Sequence, residues 1–330
     1  MTTPRTAVIV GGGISGLATA FALQEQAAAA GISLRCILLE SAPTWGGKIV
    51  THRIGELTTE AGPDSFLSQK QAGLELCRKL GLTDQLINTN ETAKRAFVLS
   101  RGRLHELPEG LITFVPKQLG PFLRSGLLSW TGLARMGLDV VMPRGPAQGD
   151  ESLASFFRRR FGAQAFERVL EPLMAGIYAG DAEQMSVKAT FPRFVELEQE
   201  HGSIIRGMMA AKKKQPTAPA SGSKRTMFVS LRNGLGDLVT ALTARLAQQG
   251  VELRTTCQVD ALRVRSHQPG RWMYDLILND GSALSAEALV LATPAYVSAE
   301  LLRPLTPIAG GVLDLIPYAS TATDRKSTRL

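Results

Sequence analysis

Apolar residues in this chain come in short, dense runs. Ala7–Val10, Leu34–Leu39 and Ala288–Leu291 are each too short for a stable helix and partly β-branched, so they read as strands buried on both faces. A further strand opens at Val251. Helical spacing takes over in Leu17–Ala30, Gln71–Gly81, Glu151–Phe161 and Leu238–Gln248, with Gly81 placed as a C-cap. Phe97–Leu104 predicts a hairpin turning at Arg101–Arg103, and Asn279-Asp280-Gly281 predicts a second. Strand and helix alternate at both ends of the chain, whereas the middle is helical and closes in a Lys-, Pro- and Ser-rich linker at Ala210–Thr226. The pattern predicts an α/β fold that is left, interrupted by an insert, and re-entered.

The first strand runs straight into Gly11-Gly12-Gly13-Ile14-Ser15-Gly16 and then into the first helix. Gly11, Gly13 and Gly16 have the G-x-G-x-x-G spacing: a tight turn, close backbone approach to a pyrophosphate, and close packing of helix on strand. The second strand ends at Glu40-Ser41, where an acid can hold ribose hydroxyls. A βαβ unit without a ligand would share the outline, but not the acid at that position. Two further glycine turns, Gly46-Gly47-Lys48 and Gly62-Pro63-Asp64-Ser65, suit the longer body of a flavin, so the spacing favours FAD over NAD.

Composition narrows the remaining choices. With 330 residues, 44% hydrophobic and 20% charged, the chain can bury a sizeable core, and no apolar run reaches bilayer-spanning length. The formal charge of +8 suits an anionic surface or an acidic small molecule. Cys36, Cys77 and Cys257 are odd in number and far apart, which argues against a disulfide framework, and the N-terminus has no secretory pattern, so a cytoplasmic location is expected. No catalytic side chain stands out, and the four histidines form no metal cluster. Residues 111–149 mix Phe, Leu and Trp130 with basic residues, as in helices lying at a membrane interface, although a helical core segment would read similarly. Arg95, Arg101 and Arg103 gather around the first hairpin, either as forks for carboxylates or as a solvated basic turn. Arg158-Arg159-Arg160 complements a helix C-terminus, and no nucleic-acid motif accompanies it. Gly176-Ile177-Tyr178-Ala179-Gly180-Asp181 reads as a segment whose backbone can approach a flat ligand, although a tight helix-to-loop crossing would look the same.

With Leu104-His105-Glu106-Leu107-Pro108 and Ala292-Thr293-Pro294 added to these segments, the chain resembles the oxygen-dependent protoporphyrinogen oxidases of the amine-oxidase-like flavoprotein superfamily, from residue 5 to about 323. The resemblance implies a discontinuous Rossmann-like FAD-binding domain with an inserted substrate and membrane-docking domain. It implies non-covalent FAD, a porphyrinogen substrate and dioxygen as acceptor. It also implies that Gly11, Gly12, Gly13, Ile14, Ser15, Gly16, Glu40, Ser41, Gly47, Lys48, Gly62, Pro63, Asp64, Ser65, Val259 and Ala292 hold the cofactor. Arg101, or else Arg95, would pair with a propionate, and Gly176, Tyr178 and Gly180 would wall the substrate. The divisions expected are 1–88 and 226–294 for FAD, 89–225 for substrate elements, docking insert and linker, and 295–323 for the start of a substrate sheet. Peripheral membrane association through 111–149 follows, and a homodimer is compatible with it. Family members continue past residue 323, so the chain is read as C-terminally truncated and inactive by itself, with 324–330 a non-native tail matching a sequencing-adapter frame. Coproporphyrinogen III as substrate, a carotenoid desaturase or amine oxidase on the same scaffold, and a nucleotide-binding fragment without turnover stay open as alternatives.

Overall fold

The computed structural model describes residues 4–90, 97–107, 125–145, 149–214, 225–268 and 271–321. The chain forms two compact units, one from 1–89 with 223–330 and the other from 90–222.

In the first unit a four-stranded parallel sheet has β1 (Arg5–Val10) inside it, paired on one side with β2 (Leu34–Leu39) and on the other with the Ala288–Leu291 strand; Glu252–Arg254 lies beyond β2. Both faces of β1 are covered, and its side chains divide with the two-residue period of a strand. Ile9 joins Cys36 and Leu38 against α1 (Ile14–Ala29) and the Gly236–Gln248 helix, through Leu17, Phe21, Leu242 and Leu246. Val8 and Val10 join Ile37 and Leu39 against Leu262, Leu276 and Leu278 of an antiparallel sheet built from Val259–Gln268, Arg271–Leu278 and Ala283–Ala286. The unit is therefore three layers deep, and its sheet combines both ends of the sequence.

A buried carboxylate joins those ends. Glu60, only 7% exposed, accepts the Leu235 backbone N–H at 2.6 Å and the Thr51 hydroxyl at 2.6 Å, while Thr51 Oγ1 accepts the Gly236 N–H at 2.9 Å. Two donors at the start of the Gly236–Gln248 helix are thereby satisfied from the Thr51–Ile54 and Leu57–Glu60 hairpin.

Residues 295–323, expected to open a sheet, instead form two helices, Ala295–Leu302 and Pro307–Asp314, as far as residue 314. The first is rich in Ala, Leu and Glu, and Pro307 starts the second at a position where its missing N–H costs nothing. The 324–330 tail lies outside the described residues.

The second unit is helical around Phe156, Phe157, Phe166, Met174, Leu127 and Leu153, preceded by the expected hairpin Phe97–Ser100 with Arg103–Glu106. The Arg158–Arg160 run does more than complement the helix dipole. Arg160 is fully buried, ion-paired with Asp139 (Nε to Oδ1, 2.5 Å) and Glu198 (3.3 Å), and it donates to the carbonyls of Pro143, Asp139 and Gly202. Asp139 also accepts the Ser203 hydroxyl and the Ile205 N–H. The helix end at 158–160 is capped by Arg135, whose guanidinium donates to the carbonyls of Arg158, Arg159 and Arg160. Of the 111–149 segment, 125–145 and 149 are described. They include the Trp130–Gly137 helix, and among the described residues no helix is long and apolar enough to cross a membrane.

Removing Arg160 as Arg160→Ala takes from buried Asp139 its guanidinium partner, while Glu198 keeps Arg159, and is expected to cost about 3–5 kcal/mol in denaturant unfolding. Burial alone would raise the Glu198 carboxyl, but Arg159, the Gly145 N–H and Arg160 outweigh it and hold it below the usual carboxylate range. Its stabilisation is therefore complete above the usual carboxylate range and is lost as pH falls through the lowered folded-state value, so the penalty of Arg159→Ala, which removes its main partner, shrinks in acid. In the first unit, Glu60→Ala strands the Leu235 N–H and is expected to lower stability by about 1–3 kcal/mol.

Candidate functional site

The residues expected to hold a cofactor gather at the carboxyl ends of the parallel strands. The chain leaves β1 through α1 to β2 on one side, and the Ala288–Leu291 strand arrives on the other side from late in the sequence, so the strand order reverses at β1 and its end is a topological switch point. Ala292 donates its N–H to the Val10 carbonyl at 2.8 Å, and Gly11 donates to Leu39 at 2.8 Å.

Backbone contact here excludes side chains. Gly11 has φ +110°, and a Cβ on it would lie 2.8 Å from the Ala292 carbonyl oxygen; one on Gly16 would lie 1.8 Å from the Gly11 oxygen. At Gly13 a Cβ would meet nothing within 4 Å. Gly11 and Gly16 thus fix the turn, while Gly13 leaves a face open. The open face adjoins the N-terminus of α1, whose first turn includes Ile14, Ser15 and Gly16. That helix has no side-chain cap and no acid in its first turn, so its N–H groups are available to an anion.

Glu40 stands at the end of β2 and is held by the turn itself. Gly12 donates to Oε2 at 2.6 Å, Ala42 to Oε1 at 2.8 Å, and the Ser41 hydroxyl to Oε1 at 3.2 Å. Oε2, which accepts one bond, keeps a lone pair for a sugar hydroxyl. The Cys257 N–H bonds to the Glu40 carbonyl at 2.9 Å, which brings the start of the Val259–Gln268 strand, and buried Val259, to the same rim. Gly46 bonds to the Gly12 carbonyl at 2.9 Å, so the Gly47-Lys48 turn lies against the first glycine turn. Gly62 packs on the Lys48 carbonyl with no room for a Cβ, which carries Pro63, Asp64 and Ser65 alongside; the Ser65 hydroxyl donates to Asp64 at 2.8 Å. A glycine cradle, an oriented acid and a bare helix start fit a dinucleotide such as FAD. Sequence reasoning missed Glu60 and Thr51, whose only signal is an acid closing a short polar strand.

Cys36 does not contribute chemistry, since burial pushes its thiol up to about 11. Among the described residues no group of His, Cys, Asp and Glu could hold a metal ion.

The expected substrate residues belong to the second unit. Arg101 occupies the exposed hairpin turn with φ +52°, and Arg95 lies outside the described residues. Gly176 and Tyr178, expected in the substrate wall, are in the Glu171–Tyr178 helix, a stretch of helix-compatible residues that ends where Ala179 turns left-handed at φ +50°. Tyr178 is 45% exposed and edge-on to Phe191 at 5.8 Å. Gly180 follows in the loop proper, beside Met185.

Residues 14–322 match the family described as flavin containing amine oxidoreductase. The coproporphyrinogen III oxidase of Bacillus subtilis is 35% identical over 302 residues, covering 92% of this chain and 62% of that protein. The chloroplastic protoporphyrinogen oxidase 1 of Spinacia oleracea is 33% identical over 324 residues, covering 96% of this chain and 55% of that protein. A solved structure from Exiguobacterium sp. 255-15, assigned as a protoporphyrinogen oxidase, superposes with a TM-score of 0.74 at 33% identity, over 92% of this chain and 62% of that one. The chain spans about three fifths of the length of these relatives.

The glycine geometry separates folding from binding. Gly13→Ala is expected to melt like the unsubstituted chain yet bind flavin at least about tenfold more weakly, because the methyl enters the open face. Gly16→Ala is expected to lose the folded first unit. Thermal melts with flavin titration check both, and a Gly16→Ala chain with unchanged melting would refute the packing argument.

Proposed function

The chain belongs to the flavin containing amine oxidoreductases, and on that premise we propose that the whole protein oxidises protoporphyrinogen IX to protoporphyrin IX with dioxygen as acceptor. Its cofactor is FAD. When bound, FAD takes hydrogen from the substrate two electrons at a time and returns it to dioxygen, so three dioxygen molecules leave as three of hydrogen peroxide per porphyrin. What supports this reading is the extent of the likeness to porphyrinogen oxidases, 33% identity across 324 residues in the spinach comparison, which takes in both units and not the glycine turn alone.

In this reading the chain's own residues bind and orient. The Gly11–Gly16 turn and the start of α1 hold the diphosphate, Glu40 with Ser41 holds the ribose, and Gly47, Lys48, Gly62, Pro63, Asp64, Ser65, Val259 and Ala292 shape the rest of the cradle. Arg101 forms a charge-assisted pair with a substrate propionate, with Arg95 as its substitute, while Gly176, Tyr178 and Gly180 form part of the substrate wall. Segment 111–149 docks on a membrane surface from the cytoplasmic side. Trp130, 81% exposed, with Leu138 and Val141 at 50% and 72%, would supply apolar contacts for it. Dioxygen, the porphyrinogen and a second copy of the protein are the proposed partners.

A second reading takes coproporphyrinogen III, with four propionates in place of two. It is favoured by the 35% identity to the Bacillus subtilis enzyme.

Offering each porphyrinogen to the whole protein and reading porphyrin fluorescence with peroxide decides between them, with three peroxides per porphyrin expected. No porphyrin from either substrate sinks both readings. Arg101→Ala is expected to raise KM about tenfold with kcat nearly unchanged, the loss of one charge-assisted bond to a part of the substrate that does not react.

A further inference from the structure

Two segments far apart in sequence meet beside the glycine turn. Lys48 Nζ lies 5.4 Å from the centroid of the Tyr318 ring, within the range of cation–aromatic attraction. The ring is fixed from two other directions. Its hydroxyl accepts the Ala295 N–H at 2.7 Å, and Tyr296 stands edge-on with centroids 5.1 Å apart at 84°.

The position of this contact gives it significance. Lys48 follows Gly47, where a Cβ would lie 3.2 Å from the Gly13 Cα. Ala295 follows Ala292-Thr293-Pro294, and Ala292 abuts Gly11. The lysine–tyrosine contact therefore runs from the Gly13 side of the turn to its Gly11 side. Among the described residues Lys48 has no carboxylate partner, so its charge is not neutralised.

We propose that Tyr318 is a positioning residue of the cofactor cradle, its ring holding the Lys48 ammonium beside the glycine turn for the diphosphate of FAD. The inference rests on the cofactor reading of Gly11–Gly16. A lysine side chain loses considerable rotamer freedom when it is fixed, and a pinned aromatic face reduces that loss on binding. A carboxylate in the same place would order the lysine but cancel the charge that an anion needs.

The test is titration of the whole protein, stripped of cofactor, with FAD, read by quenching of flavin fluorescence at low and high salt. Lys48→Met is expected to weaken binding about tenfold and flatten its salt dependence. Tyr318→Leu is expected to weaken it about fourfold, the size of an exposed cation–aromatic contact, and Tyr318→Phe, which keeps the ring, to restore most of that. The double variant should bind like Lys48→Met alone, because Tyr318 acts through the lysine. In the free protein, carbon-13 lysine spectra should show a ring-current shift of the Lys48 ε-methylene that Tyr318→Leu removes and Tyr318→Phe keeps. Wild-type affinity in Tyr318→Leu, independent losses multiplying to about fortyfold in the double variant, or no ring-current shift in the unsubstituted chain overturns the positioning role and leaves the cofactor reading standing. Failure of the unsubstituted whole protein to quench flavin fluorescence overturns both.

Discussion

The contact between Gly16 and the carbonyl of Gly11 sets the distance at which α1 lies on β1, because a Cβ at Gly16 would come within 1.8 Å of that oxygen. Other features of the first unit depend on this approach. It lets Leu17 and Phe21 reach the same core as Ile9 and Leu38, and it aims the first turn of the helix at the open side of Gly13. Gly11 repeats the constraint on the opposite edge, against Ala292. Strand, helix and returning strand therefore converge where no methyl group fits, and the ligand-facing gap is what that convergence leaves uncovered.

A sheet assembled from both ends of a sequence has to be held against the entropy of a long closed loop, since its central strand pairs with one partner nearby in sequence and another almost the whole chain away. The apolar layers supply most of what opposes that cost. Directional bonds then set the register. Glu60 and Thr51 reach from an early hairpin to the start of a late helix, and Phe228–Leu231 lies between Phe66–Leu67 and Leu86–Asn88 in a small antiparallel sheet. The second unit solves a different problem. Its helices meet around charges that are themselves buried, with Arg160 paired to two carboxylates and donating to three carbonyls, and the share carried by Glu198, held below the usual carboxylate range, is lost in acid.

The parallel strands, the glycine turn and the acid at position 40 were legible because each is written locally: a short apolar run, a fixed glycine spacing, an acid at a strand end. The interruption by a helical insert was legible from the change in period. Residues 295–314 were misread as sheet because a family expectation overrode the local helix signal of Ala295–Leu302 and of Pro307. Around Gly176 and Tyr178 the two glycines fitted a ligand-facing loop and a helix-to-loop crossing equally, and the surrounding residues continue the helix as far as Tyr178. The burial of Arg160 was not legible because its partners, Asp139 and Glu198, stand 21 and 38 residues away in sequence, and no local pattern announces such a meeting. Tyr318 is invisible for the same reason.

How the helices begin bears on the cofactor site. In the second unit, Ser129, Ser152 and Ser186 each accept an N–H from the first turn of the helix they precede. Such a cap contributes about 1 kcal/mol and occupies the ground where an anion would bind. Gly13, at the corresponding place before α1, has no side chain to offer, and no acid follows it in the first turn. The one nearby carboxylate, Glu40, is directed instead to Gly12 and Ala42, behind the turn. An uncapped helix start is a cost to the free chain, and at Gly13, where a Cβ would meet nothing within 4 Å and φ is −69°, packing does not impose that cost. A ligand carrying phosphate meets that cost directly, which makes cofactor binding and stability of the first unit two readings of the same set of N–H groups.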